Sequence, residues 1–263
     1  MRILLISEEL KDLPKDTVYL HISNCSDSES YERYLKAHID GAYFLSITGD
    51  LSRPPAPNEG RCPLPDMEDF KNGISKMGIG ADSTVLVYSD SHLMNATRAW
   101  NMLKIIGVKN AYILYEGLNG YMRKSYPISS GEVDLGNEIG KGLDVDESKI
   151  IEYEFVRDNC ESEDIVLIDS RNSIRFKGIE DVVDGKPGHI PGAVNYDFSG
   201  IAGIDRPQIE EIKEYFKDLD TEKEIIIYCG SGMTATINAA LLADIGVDSK
   251  VYTGSYSEWI NRI

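Results

Sequence analysis

Of the four cysteines in the sequence, one stands where a thiol can do chemistry. Cys229 follows Ile225-Ile-Ile-Tyr228, a β-branched run that suits a strand buried on both faces, and precedes Gly230-Ser231-Gly232-Met233-Thr234. A helix-like run begins at or just after Thr234. The carboxyl edge of a parallel sheet is where α/β proteins bind ligands. A tight glycine loop leading into a helix turns backbone N–H groups and the positive helix end toward one point, a nest for an anion. Free thiols, with a pKa of about 8.5, are only a few per cent ionised near neutrality, and such a site favours the thiolate. The alternative is a small buried apolar residue, the common fate of a lone cysteine. Gly-Ser-Gly argues against it, because two glycines serve little purpose unless the backbone must approach something closely. Cys25, Cys62 and Cys160 lack such surroundings and are expected to be structural.

Other chemistries fit poorly. A phosphatase loop needs arginine six residues past its cysteine, and Ala235 stands there, so the charge that would hold a phosphate dianion is missing. No Gly-rich nucleotide loop follows a strand. The cysteines show no C-x-x-C spacing, so neither a zinc site nor a disulfide framework is expected. The net charge of -17, from 44 acidic against 27 basic side chains, disfavours nucleic acid as a partner. The apolar start, Ile3 to Ile6, is too short for an export signal or a membrane span, and a cytoplasmic location is expected.

The elements that must position the cysteine occur twice. His38-Ile-Asp-Gly-Ala42 returns as His189-Ile-Pro-Gly-Ala193, and Val85-Leu-Val-Tyr88 returns as Ile225-Ile-Ile-Tyr228. A helix-like run ending in Ile-Gly-Val follows each tetrad, and then a closing segment: Tyr115 to Tyr121 in one half, Tyr252 to Trp259 in the other. The first half carries about eleven extra residues between these landmarks, placed in the proline-rich stretch from Leu51 to Pro65. At 263 residues, with 42% apolar and 27% charged side chains, the chain suits two soluble domains. The expected division is 1–128, a linker over 129–149 rich in Gly and acidic residues, and 150–263. Short apolar runs at Val18–Ile22, Ala111–Leu114 and Ile165–Ile168 read as further strands. Helical spacing covers Ser28–Ala37, Asp66–Met77, Pro207–Phe216 and Thr234–Ile245. Each half is thus expected to be an α/β domain, a mostly parallel sheet with helices on both faces. Ser89, which stands at the position of Cys229 in the first copy, lacks a thiol, so that copy is expected to be catalytically inactive.

These residues together resemble the two-domain rhodanese superfamily, the sulfurtransferases. The likeness rests on the paired His-Ile-x-Gly-Ala motifs, Asp169-Ser-Arg171 with Arg175-Phe-Lys-Gly178, the loop from Cys229 to Ala235 and the ending Gly254-Ser-Tyr-Ser-Glu-Trp259. It implies tandem rhodanese-like domains with the active site in the second, roofed by the interdomain cleft. It also implies a ping-pong reaction in which Cys229 takes sulfane sulfur from a small anionic donor and passes it, as a persulfide held by Gly230 to Thr234, to cyanide or a thiol. A thioredoxin-like reductant is an acceptor consistent with this. No cofactor, metal, nucleic acid or membrane is called for. Arg175 matches the family's substrate arginine, while Asp169 and Arg171 are expected to brace the loop and the two motif histidines to be structural.

The neutral pair Gly230-Ser231 favours 3-mercaptopyruvate over thiosulfate, since thiosulfate-type relatives resemble an Arg-Lys pair at that point. The chain departs from the mercaptopyruvate pattern in three places. Cys62 stands where related sequences have His, Thr48 where they have Asp, and Asp184 where a second arginine is expected. Arg61, Arg98 and Arg53 are candidates to compensate from across the cleft. The competing reading is a carrier module in which Cys229 receives its sulfur from a partner protein.

Overall fold

The computed structural model describes residues 2–23, 27–203 and 205–263. Cys25 lies outside the described residues.

Two compact units form. The first comprises Met1–Arg53 and Leu64–Glu147, the second Pro54–Pro63 and Ser148–Ile263. The segment expected as a linker is laid along the first unit: Ser129 and His38 form a two-way backbone bridge, and the amides of Gly140 and Ala81 bond to Ser75 and Lys141 carbonyls. Part of the proline-rich stretch belongs with the second unit, although its sequence neighbours on both sides belong with the first.

In the first unit the elements are β1 (Leu4–Leu5), β2 (Val18–Ile22), α1 (Asp27–Lys36), β3 (Tyr43–Leu45), α2 (Met67–Lys76), β4 (Thr84–Ser89), α3 (Leu93–Ile105), β5 (Asn110–Leu114) and α4 (Gly117–Arg123). Its five-stranded sheet runs β1-β5-β4-β2-β3, parallel throughout. The second unit holds α5 (Tyr153–Asn159), β6 (Ile165–Asp169), α6 (Ser173–Phe176), β7 (Val194–Asn195), α7 (Ile209–Tyr215), β8 (Glu224–Tyr228), α8 (Ala235–Asp244), β9 (Lys250–Val251) and α9 (Ser255–Arg262). Its sheet is β7-β6-β8-β9, again parallel. The order β3-β2-β4-β5 of the first sheet is repeated as β7-β6-β8-β9, and β1 adds an edge to the first.

The expected helices fall within one or two residues of their sequence bounds. Local chemistry explains the starts: Asp66 accepts the amides of Glu68 and Asp69 ahead of α2, and Asn172 accepts the Arg175 amide ahead of α6. The central strands β4 and β8 are buried on both faces, which is why both read as unbroken apolar runs.

The repeat has a structural reason. At the end of each central strand a tyrosine hydroxyl accepts the amide of the motif isoleucine at 3.0 Å, Tyr88 from Ile39 and Tyr228 from Ile190. The motif glycines, Gly41 and Gly192, both take the left-handed backbone conformation that closes the turn. The motif histidines bond to carbonyls of their own unit, His38 to Tyr34 at 2.9 Å and His189 to Phe176 at 2.8 Å, and each stacks on the ring of that residue. Both are used in holding the turn. Among the described residues, no helix is long and apolar enough to cross a membrane.

Candidate active site

Strand β8 ends at Tyr228 and delivers Cys229, which is almost wholly buried, to the carboxyl edge of the second sheet. The first turn of α9 clamps the strand end. The Cys229 amide donates to Ser255 Oγ at 3.1 Å, and the Tyr256 and Ser257 amides donate to the Cys229 and Gly230 carbonyls at 3.0 Å. Gly232 sits in the left-handed region, and any side chain there would run into the backbone of Thr253, so the loop can close only with glycine. Among the described residues, the amides of Gly230, Ser231, Met233 and Thr234 have no protein acceptor, and α8 begins at Ala235. Unsatisfied donors leading into a ten-residue helix beside a thiol make a binding place for an anion formed on that sulfur.

Charged groups stand beside the loop. Asp169, at the end of β6, holds Arg171 bidentately, with contacts of 3.0 and 2.6 Å, and accepts the Arg171 amide at 2.9 Å. Both side chains are out of solvent, and the Arg171 guanidinium lies 3.8 Å from the Tyr256 ring centroid. Burial opposes the Arg171 charge, but Asp169 more than offsets it and holds the guanidinium above its usual range. Asp181 Oδ2 accepts from Arg171 at 3.2 Å and Arg175 at 2.9 Å, while its Oδ1 takes the amides of Val183 and Asp184. Asp184, its side chain wholly buried, pairs with both Arg175 and Arg61. A methyl group added at Gly230 would lie 2.9 Å from Arg61 Nη2, 3.0 Å from Arg175 Nη2 and 3.4 Å from Asp184 Oδ2. These three side chains therefore face the residue that follows the cysteine.

Arg61 arrives by a long-range contact. Its amide donates to Ser257 Oγ at 3.1 Å, and Asn261 donates to the Glu59 carbonyl at 3.2 Å. Gly60 lies so close to Gly254 that a side chain there could not fit.

The second-half residues expected to take part in the chemistry or brace it come to this one place: Cys229, the loop to Thr234, Arg175, Asp169 and Arg171. Arg61 joins them as part of the second unit. Arg98 belongs to the first unit, where it is fully buried and donates to the Leu51 carbonyl at 3.2 Å. Arg53 and Thr48 also belong to the first unit. Asp181 and Ser255 were missed. Neither has a local signature, since Asp181 lies in an irregular loop and Ser255 acts across 26 residues of sequence. In the first unit, Ser89 Oγ is engaged with the His92 backbone, and Asp90 pairs with His21 at 2.9 Å and Arg33 at 3.2 Å.

The fold defines a tandem α/β protein in which the second copy carries this cysteine loop. A model of the Rhodanese-like domain matches residues 7–124 and 152–262, and the chain belongs to that family. It is 34% identical over 245 residues to human 3-mercaptopyruvate sulfurtransferase, covering 89% of this chain and 80% of the human protein. It is 30% identical to a putative thiosulfate sulfurtransferase of Mycobacterium tuberculosis, covering 89% of this chain and 84% of that protein. The solved 3-mercaptopyruvate sulfotransferase of Escherichia coli superposes with a TM-score of 0.79 at 27% identity, covering 98% of this chain and all of the other.

Proposed function

We propose that this protein is a sulfurtransferase that moves sulfane sulfur from a small anionic donor, 3-mercaptopyruvate ahead of thiosulfate, to cyanide or a thiol through a persulfide on Cys229. The observation that carries this is the buried Cys229 at the end of β8, followed by a loop in which the amides of Gly230, Ser231, Met233 and Thr234 are left without a protein acceptor among the described residues, and flanked at Gly230 by two arginines. The relatives named as sulfurtransferases acting on these donors support it.

In the first half-reaction the Cys229 thiolate attacks the donor sulfur. With 3-mercaptopyruvate the carbon–sulfur bond breaks, its electron pair stays on carbon, and the thiol proton ends on that carbon, giving pyruvate and Cys229–S–S⁻. With thiosulfate the sulfur–sulfur bond breaks and sulfite leaves with the pair. In the second, cyanide or a thiolate attacks the outer sulfur of the persulfide, and the Cys229 thiolate departs. No net oxidant is consumed in the transfer to cyanide, which yields thiocyanate. The loop amides of Gly230 to Thr234 hold the persulfide anion, and Arg175 and Arg61 hold the donor's carboxylate or sulfonate.

Gly230 and Ser231 put no cation in the loop, which favours the donor of lower charge. The same reading gives the first unit, with Ser89 tied to its own loop, a silent role. It also places the protein in the cytoplasm with a thioredoxin-like reductant among its acceptors.

A steady-state assay with each donor and cyanide tests the proposal. Thiocyanate formation with a higher kcat/KM for 3-mercaptopyruvate is expected. Turnover of neither donor, together with sulfur arriving on Cys229 only from a partner protein, would replace the enzyme with a carrier.

A further inference from the structure

We infer that Asp184 is a specificity-determining residue that sets the charge of the donor site and makes it select monoanionic over dianionic sulfur donors; this rests on the sulfur-transfer reading above. Beside the loop, Arg61, Arg171 and Arg175 are matched by Asp169, Asp181 and Asp184 in one connected set of ion pairs. The set carries no net charge. Within it the roles differ. Asp169 pairs with Arg171, which is out of solvent, and Asp181 bridges Arg171 and Arg175, whereas Asp184 is the carboxylate that pairs with both arginines facing Gly230. Arg61 and Arg175 keep 40% and 19% of their side chains exposed, while Asp184 keeps none. A donor bound at Cys229 therefore meets two guanidinium groups that share one buried carboxylate.

The consequence is electrostatic. Two arginines alone would present two positive charges, a match for thiosulfate. With Asp184 paired to both, much of that positive charge is offset, which suits a single carboxylate, and the second charge of a dianion meets the repulsion of Asp184. Asp184 also fixes both guanidinium groups, so their forks are held in place before the donor arrives.

The test compares kcat/KM for thiosulfate and 3-mercaptopyruvate in the wild type, Asp184→Asn and Asp184→Glu. Asp184→Asn keeps the size and removes the charge, and the thiosulfate to 3-mercaptopyruvate ratio is expected to rise by about tenfold. Asp184→Glu keeps the charge and should leave the ratio near the wild-type value. An unchanged ratio in Asp184→Asn, or an equal rise in both variants, overturns the inference. A wild type that turns over neither donor overturns the sulfur-transfer reading instead. A second measurement needs no variant. Wild-type kcat/KM for thiosulfate should not fall as ionic strength rises, because the ion-pair set as a whole carries no net positive charge to screen; a steep fall contradicts the inference.

Discussion

The hydroxyl of Ser255 accepts the amide hydrogen of Cys229 at 3.1 Å and gives its own to the Tyr252 carbonyl at 2.9 Å. The nucleophile's backbone is thereby fixed to the start of α9, and the amides left for an anion are those further along the loop. Ser255 takes a positive φ to do this, which no residue other than glycine adopts without cost. Replacing Ser255 by Ala keeps that backbone but leaves the buried Cys229 amide without an acceptor. A loss of about 1–3 kcal/mol in urea unfolding is expected, together with slower transfer. Unchanged stability would mean that the bond is dispensable.

Arg171 and Asp169 form the innermost ion pair. Removing Arg171 strands Asp169 out of solvent, so Arg171→Met should destabilise by about 3–5 kcal/mol, whereas Asp169→Asn leaves Arg171 paired with Asp181 and should cost less. The double variant should be more stable than the sum of the two losses allows. Strict additivity in a double-mutant cycle would show that the two side chains do not act as a pair.

Much of this was legible beforehand because the signals are local. Cys229, its glycine loop and the start of α8 lie on a continuous stretch of strand, turn and helix. The repeated tyrosine and His-Ile-x-Gly-Ala motifs are legible for the same reason, and the Tyr228–Ile190 bond shows what physically links them. Arg61 was only one of three arginines offered, because nothing in the proline-rich stretch says that it docks on α9. Arg98 donates to the Leu51 carbonyl, a tertiary contact with no signature in the sequence. Asp184 could be read as a departure from a family pattern, yet its pairing with Arg61 and Arg175 depends on tertiary contact.

Arg175 and Arg61 are expected to act on the donor rather than on the acceptor. Arg175→Lys keeps the charge but loses the fork, and Arg61→Ala removes one cation. Each should lower kcat/KM for both donors by about tenfold or more while leaving the reaction of preformed persulfide with cyanide unchanged. Unchanged donor kinetics in Arg61→Ala would remove it from the site.

Asp90 gives the first unit a defined acid response. Burial alone would push its carboxyl up, but His21 and Arg33 more than offset this and hold it below the usual range. A carboxyl depressed on folding contributes stability that is complete above its unfolded pKa, about 3.9, and is lost as pH falls through the lower folded value. Urea unfolding of Asp90→Asn should therefore lose less stability than the wild type on moving from pH 5 toward pH 2 (approximate bounds of that window). Parallel curves would contradict the assignment.

The central claim is that sulfur rides on Cys229. Intact-mass and peptide analysis after mixing the protein with 3-mercaptopyruvate or thiosulfate tests it most directly. The account predicts a gain of one sulfur atom on the Cys229 peptide, its discharge by cyanide as thiocyanate, and neither event in Cys229→Ser. Sulfur found on another residue, or turnover retained by Cys229→Ser, would contradict it.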